Sequence, residues 1–323
     1  MVRKPSLCAF AAALFSLVSS LATAQSWPSR PITMVVPFAA GGSIDIPARR
    51  LAGELSAKLG QQVVVENRSG ANGNIGGAYV AKASPDGYTL MFSPPGILAT
   101  NRFMYRNMPF DSDRAFAPII LLAKSPMVLA AHPKVPINNL QELIAYAKAN
   151  PGRLSVGTPG IGSQAHLTME LLQKSSGTQM NYVPYRGAAG SGTDVIAGQI
   201  DLSINFTPGM VAPLQDGSLR GIAVTTLKRS RQLPSVPTVA ESGFPGFEAV
   251  AYYSVVAPAG TPPEIIQTLN KLVNEYLESD LGKQHLDSAD MQAAGGRPED
   301  LQAFIASEVA KWGPIIKAAG ITM

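Results

Sequence analysis

The sequence predicts an α/β protein of two lobes, each a parallel sheet with helices on both faces, joined by a hinge that the chain crosses twice. Three observations carry this. Short apolar strands alternate with segments of helical periodicity. The alternation restarts after a loop around Asn107 to Arg114. Each half also places a glycine-rich loop between a strand and the helix that follows.

Ile32-Thr33-Met34-Val35-Val36 reads as the first strand, and residues 37–43 as a loop of small residues. Ala48, Leu51, Ala52, Leu55 and Leu59 then recur at helical spacing. Pro47 falls in the first turn of that helix, where its missing N–H costs nothing. Residues 62–66 and 88–92 are the next strands. In the second half a helix opens at Asn138-x-x-Gln141, a capping pattern, and stops at Pro151-Gly152. Residues 154–157 form a strand, 158–163 the second glycine-rich loop, and Leu167, Leu171 and Leu172 the inner face of the next helix. Further strands are expected at 180–183, 201–205 and 221–225. Thr261-Pro262-Pro263-Glu264 opens a helix carrying Ile265, Leu269, Leu272, Val273 and Tyr276 on one face. A last helix is expected from about Pro298 to Ala318. Both C-terminal helices are expected to pack back on the first half. The first lobe is then discontinuous, residues 25–125 and 252–323, and the second is residues 126–251. Such lobes are expected to close on a ligand in the cleft between them.

Composition narrows the function classes. The chain has 323 residues, 46% hydrophobic and 15% charged, with a net charge of +4. That is a globular composition. The weak basic excess, without any Lys/Arg cluster, does not point to nucleic acid. One cysteine excludes a disulfide framework and Cys-based metal sites. Residues 1–24 read as a secretory signal peptide. Arg3 and Lys4 precede an apolar run from Leu7 to about Leu21, and Ala22-Thr23-Ala24 gives a small-x-small cleavage site before Gln25. The run is short for a membrane anchor. Cys8 precedes it, whereas a lipoprotein cysteine follows it. The expected location is the periplasm.

The two loops suggest anion binding. Each follows a strand and opens a helix, so backbone N–H groups and the positive end of a helix dipole point at one place. Ligands of such folds lie beyond the carboxyl ends of the strands. Tight strand–helix packing also explains a single glycine loop; two in corresponding positions favour a ligand site. Two or three hydrogen bonds to a charged ligand at each end contribute roughly 1.5–3 kcal/mol apiece before ordering costs. About 8 kcal/mol net corresponds to micromolar binding. No arginine is required.

Catalytic alternatives are weaker. Gly160-Ile161-Gly162-Ser163-Gln164-Ala165 matches a dinucleotide fingerprint, but no acid follows between Glu170 and Asp194. There is no G-x-S-x-G elbow. His132, His166 and His285 are scattered, so neither a metal nor another cofactor is expected. Ser191, Asp194 and His166 supply the residue types of a hydrolase without supporting spacing. His166 reads as a residue of a helix first turn or as a ligand contact. Asp45 and Asp194 read as dipole partners and caps. Arg186 reads equally as a cleft or a surface residue.

The motifs together resemble the substrate-binding receptors of tripartite tricarboxylate transporters, the Bug family. The resemblance rests on Trp27-Pro28-x-Arg30-Pro31-Ile32, then Val36-Pro37-Phe38-Ala39-Ala40-Gly41-Gly42-Ser43-x-Asp45-x-x-Ala48-Arg49. It continues in Val65-Glu66-Asn67-Arg68-x-Gly70-Ala71-x-Gly73-Asn74-Ile75-Gly76 and Ser84-Pro85-Asp86-Gly87-Tyr88. Val183-Pro184-Tyr185-Arg186-Gly187, Val236-Pro237-Thr238 and Ala257-Pro258-Ala259-Gly260-Thr261-Pro262 extend it over the whole mature chain. The resemblance implies a type II periplasmic binding protein-like fold. It also implies a small carboxylate ligand, one carboxyl group of which is held by backbone N–H groups and waters at the two loops. It implies no enzymatic activity. Partners would be two membrane permease subunits, or a sensor kinase, and the receptor a monomer.

Carried onto this sequence, the first loop is Phe38, Ala39, Ala40, Gly41, Gly42 and Ser43 with Asp45. The second is Thr158, Pro159, Gly160, Ile161, Gly162 and Ser163 with His166. Asn74 and Asp194 fall at positions resembling cleft positions of the family. The sequence departs from the family pattern at Ser93-Pro94-Pro95-Gly96, where two prolines replace a turn rich in small polar residues and remove two donors. Pro159 removes another. Arg186 stands where Lys is usual, and Arg297 takes the usual capping position before Pro298.

Overall fold

A computed structural model describes residues 27–185 and 187–323. The expected signal peptide and Arg186 lie outside the described residues. Two sheets organise the chain. The first contains β1 (Ile32–Val36), β2 (Val63–Asn67), β3 (Thr89–Ser93), β4 (Phe116–Ser125), β10 (Ala251–Pro258) and β11 (Gln292–Gly295), in the order β11-β4-β10-β3-β1-β2. The second contains β5 (Met127–Ala131), β6 (Ser155–Thr158), β7 (Asn181–Pro184), β8 (Leu202–Phe206) and β9 (Arg220–Val224), in the order β7-β6-β8-β5-β9.

Neither sheet is wholly parallel. β1 runs parallel to β2 and β3, and β6 parallel to β7 and β8. β10 is antiparallel to β3 and β4, and β5 to β8 and β9. The reason is where these two strands come from. Only Pro126 separates the end of β4 from the start of β5, and β10 returns the chain from the second sheet. A strand arriving through the hinge starts at the cleft end of its sheet. A strand of a β–helix–β unit finishes there.

Helix α1 (Asp45–Leu59) buries Ala48, Leu51, Ala52 and Leu55 against the first sheet, as its periodicity predicts. Met34, Leu90, Phe92, Tyr253 and Val255 meet them in one apolar cluster. The next helix, α2 (Asn74–Ala81), packs beneath the first loop. In the second lobe α4 (Leu140–Ala149) and α5 (Gln164–Ser176) cover the second sheet; the short α3 (Asn101–Met104) precedes β4. Leu167 and Leu172 join Val156, Leu202 and Ile204 in its core, while Leu171 is only half-buried. The remaining helices are α6 (Ala188–Ile196), α7 (Val211–Gln215), α8 (Pro263–Glu278), α9 (Asp280–Ser288) and α10 (Pro298–Ala318).

Two helix starts differ from the sequence patterns. Asn139, one residue later than expected, caps α4 by accepting the Glu142 N–H at 2.8 Å. The Glu142 carboxylate reaches back to the Asn138 N–H. At α8 the Thr261 hydroxyl donates to the Pro258 carbonyl instead of capping, and Pro262 takes the cap position. The last helix differs more. Leu301, Phe304 and Ile305 pack on the back of the first sheet, whereas Trp312, Ile315 and Ile316, with Ile321 beyond the helix, enter the core of the second lobe. The Met323 N–H then donates to Met104 O at 2.9 Å. α10 is therefore a third link between the lobes, since its apolar stripe is long enough to cover both. Among the described residues no helix is long and apolar enough to cross a membrane.

Candidate functional site

A cleft of about 860 Å³ opens between the two sheets at the carboxyl ends of their parallel strands. Its size is that of a small-molecule site. Of the residues expected there, Phe38, Ser43, Pro94, Pro159, Gly162 and Ser163 line it. Ala39, Ala40, Gly41 and Gly42 are exposed at its rim, and Ile161 projects into solvent beside the half-buried Gly160.

The other expected residues stand one layer back. Asp45 is 2% exposed. Its Oδ2 accepts the Gly41 N–H at 2.8 Å and Arg49 Nε at 2.8 Å. Its Oδ1 accepts Asn67 Nδ2 at 2.8 Å, and Asn67 Nδ2 also donates to Phe38 O at 3.0 Å. Burial alone pushes this carboxyl up, but Arg49 and the N–H groups of Gly41 and Asn67 together hold it below the ordinary carboxylate range. Asp45 thus ties the first loop to the sheet.

His166 does the same in the second lobe. Its Nδ1 accepts the Gly162 N–H at 3.0 Å, and its Nε2 lies 3.6 Å from Glu170 Oε1. Acceptance at Nδ1 fixes the neutral tautomer with the proton on Nε2. Burial lowers its pKa accordingly, and raises that of Glu170. Ser163 caps α5 by accepting the His166 N–H at 3.2 Å. The amides of Gly41 and Gly162, which the loop chemistry offers to a ligand, are therefore engaged within the protein.

Asn74 is buried, with its Oδ1 accepting Asn101 Nδ2 at 2.7 Å; Asn101 also binds Asn72, which does line the cleft. Ser93 is fully buried, and its hydroxyl turns to Pro94 O. Thr158 is 1% exposed, and its Oγ1 has no hydrogen-bond partner. Asp194 accepts the Tyr185 hydroxyl at 2.6 Å. Burial, then Asp194, pushes Tyr185 up to about 12.

The residue types of a hydrolase do not assemble. Ser191 donates to Ala188 O at 3.0 Å, while Asp194 and His166 serve Tyr185 and Gly162. Among the described residues no group of His, Cys, Asp and Glu is placed to hold a metal ion.

Residues the sequence did not single out complete the walls. On the first lobe they include Ile44, Asn72, Thr100, Ala251 and Tyr253; on the second, Gln164, Ala188, Thr193, Ile196, Asn205, Phe206 and Met210. The Phe206 end of β8 follows the rule of strand carboxyl ends that singled out the two loops. Tyr253 had no such signal, because it enters from the hinge. None of the described lining residues is charged.

Two α/β lobes, two direct crossings and a cleft at the strand ends define a two-lobed solute-binding protein. The family described as "Tripartite tricarboxylate transporter family receptor" matches residues 47–321, and the chain belongs to this family of solute-binding receptors. It is 36% identical to the protein BugT of Bordetella pertussis over 304 residues, 94% of this chain and 93% of that one. Its structure is similar to that of R. palustris Rpa4515 with adipate, at TM-score 0.80 and 41% identity, covering 92% of this chain and 99% of that one. It is also similar to MatC from Rhodopseudomonas palustris with bound malate, at TM-score 0.75 and 29% identity, covering 90% and 100%. Receptors of this family are periplasmic and bind solutes; they are not enzymes.

Proposed function

We propose that the chain captures a small organic carboxylate between its lobes and presents it, as a monomer, to two membrane permease subunits of a tripartite transporter. The observation that carries this is the cleft itself. It lies between hinged lobes, at the carboxyl ends of both sets of parallel strands, and the starts of α5 and α6 reach it at Gln164 and Ala188. Helix starts favour an anion without any cationic side chain. The adipate and malate bound by the two similar proteins support the same class of ligand. Loop residues Phe38 to Ser43 and Thr158 to Ser163 frame the site in this reading. Asp45 and His166 hold the loops in shape. Removal of the leader after Ala24 would release the mature receptor.

Mass spectrometry of what co-purifies with the exported protein, followed by a thermal-shift screen of organic acids, tests this. An acid that is recovered unchanged and raises the melting temperature is the expected result. If no acid binds, including those of the native periplasmic extract, the reading fails. Uptake of the identified acid should stop when either permease subunit is deleted.

A further inference from the structure

We propose that the ligand is a carboxylate bearing a hydroxyl group, and that Asn72 and Thr100 on the first lobe are the side chains that recognise this hydroxyl. This rests on the carboxylate-receptor reading and adds a substituent of the ligand and the residues that select it.

Asn72 stands in a strained turn. Ala71, Asn72 and Gly73 all have positive φ, at 46°, 51° and 88°. Such a conformation persists only where the surroundings enforce it. The fully buried Asn101 does so here. Its Nδ2 donates to Asn72 O at 3.0 Å and to Asn74 Oδ1 at 2.7 Å, and its Oδ1 accepts Asn72 Nδ2 at 2.9 Å. A backbone carbonyl only accepts, so the orientation of the Asn101 carboxamide is fixed, and with it that of Asn72. The Asn72 Oδ1 is left over. Asn72 lines the cleft, and this oxygen is neither paired among the described residues nor shielded from solvent.

Thr100, the chain neighbour of Asn101, is 2% exposed and yet lines the cleft. Its hydroxyl is likewise neither paired among the described residues nor shielded, so it opens into the cleft. Gly96, on the same wall, lies against the Asn101 carboxamide, where an added Cβ would come within 2.8 Å of Asn101 Oδ1. Asn72, Gly96 and Thr100 thus gather around one buried residue.

A fixed acceptor beside a hydroxyl, both neutral, matches a ligand hydroxyl. That group can donate to Asn72 Oδ1 and accept from Thr100. A second carboxylate only accepts and would set its oxygen against that of Asn72. A hydrocarbon would leave both protein groups desolvated and unpaired. Other polar side chains of the cleft are engaged. Thr193 donates to Ala189 O at 3.1 Å, Asn205 binds Ser191 and Ser203, and the Ser43 hydroxyl is turned to the Tyr253 phenol.

Isothermal titration of the purified, dialysed protein tests this with acids that differ by one hydroxyl: malate against succinate, 3-hydroxybutyrate against butyrate, and 4-hydroxybenzoate against benzoate. Mass spectrometry identifies the acid that co-purifies before dialysis. The expected result is that the hydroxylated member of a pair binds at least about tenfold more tightly, because a site built to pair a hydroxyl rejects the analogue without one. Asn72→Gly keeps the turn, since glycine takes positive φ freely, and removes only the carboxamide. It should weaken the hydroxy acid by roughly 5- to 100-fold and leave the plain acid within about threefold. Thr100→Val should act in the same direction. Plain acids that bind as tightly as their hydroxylated partners overturn the inference and leave the receptor reading intact. An unchanged ratio of the two affinities in Asn72→Gly overturns it too, and so does a co-purifying acid without a hydroxyl. A protein that binds no acid at all defeats the receptor reading, and this inference with it.

Discussion

Asp45 and His166 occupy matching places in the two lobes. Each follows a glycine by four residues, stands in the first turn of a helix and takes that glycine's N–H, from Gly41 and Gly162 respectively. One does it as a carboxylate and the other as a neutral imidazole, so the loops respond to pH differently. Burial depresses the His166 pKa in the folded protein. As pH falls below about 6.5, the unfolded chain gains a proton that the folded one refuses. The stability His166 contributes is full above that pH and is lost as pH falls toward its folded pKa, at most about 1.4 kcal/mol per pH unit. Glu170, raised by burial, acts in the opposite sense at lower pH. The comparison of wild type with His166→Gln therefore isolates the histidine. Between pH 7.5 and 5.5 the wild type should lose more melting temperature than the variant. Equal losses would mean that His166 does not titrate as argued.

At the scale of elements, close approach positions the first loop. Gly76, in α2, lies where an added Cβ would come within 2.9 Å of Pro37 Cβ and 3.0 Å of Arg68 O. Backbone cannot yield there cheaply, so Gly76→Ala should lower stability by roughly 1–3 kcal/mol, read as a lower denaturation midpoint at constant m-value. In α10, Trp312 is fully buried in the second-lobe core and its Nε1 donates to Glu308 Oε2 at 2.7 Å. Trp312→Ala should cost about 3–5 kcal/mol. Calorimetry should also show the two lobes unfolding less cooperatively, because this helix is their third connection. A variant that melts as sharply as wild type would argue against that linking role.

For the whole molecule, closure is the expected response to ligand. β4 passes into β5 through Pro126 alone, and Lys124 pairs with Glu248 at 3.0 Å across the two crossings. Lys311 of α10 also donates to Glu248 O at 3.1 Å. The hinge is thus short and tied to the last helix, which favours a rigid rotation of the lobes over a loose one. A ligand at one hundred times its Kd should add about 2.7 kcal/mol to stability. Small-angle scattering should show a smaller radius of gyration in the bound protein, and an unchanged radius would contradict closure.

The amino-acid sequence by itself determined the strands and helices of the β–helix–β units, the two glycine loops and the family, because these rest on local periodicity, turn chemistry and motif order; the strands that form the crossings, β4, β5 and β10, and the edge strand β11 were not among those it marked. Ile32–Val36 and Pro298–Ala318 were legible in this way, and so were the loops as parts of the site. Only the tertiary structure decided which of their N–H groups are spent on Asp45 and His166. It also decided that Gln164 and Tyr253 line the cleft, that Asn74 and Ser93 do not, and that α10 spans both lobes. Whether a group faces a cavity depends on which distant segments cover it, and no short stretch of chain contains that information.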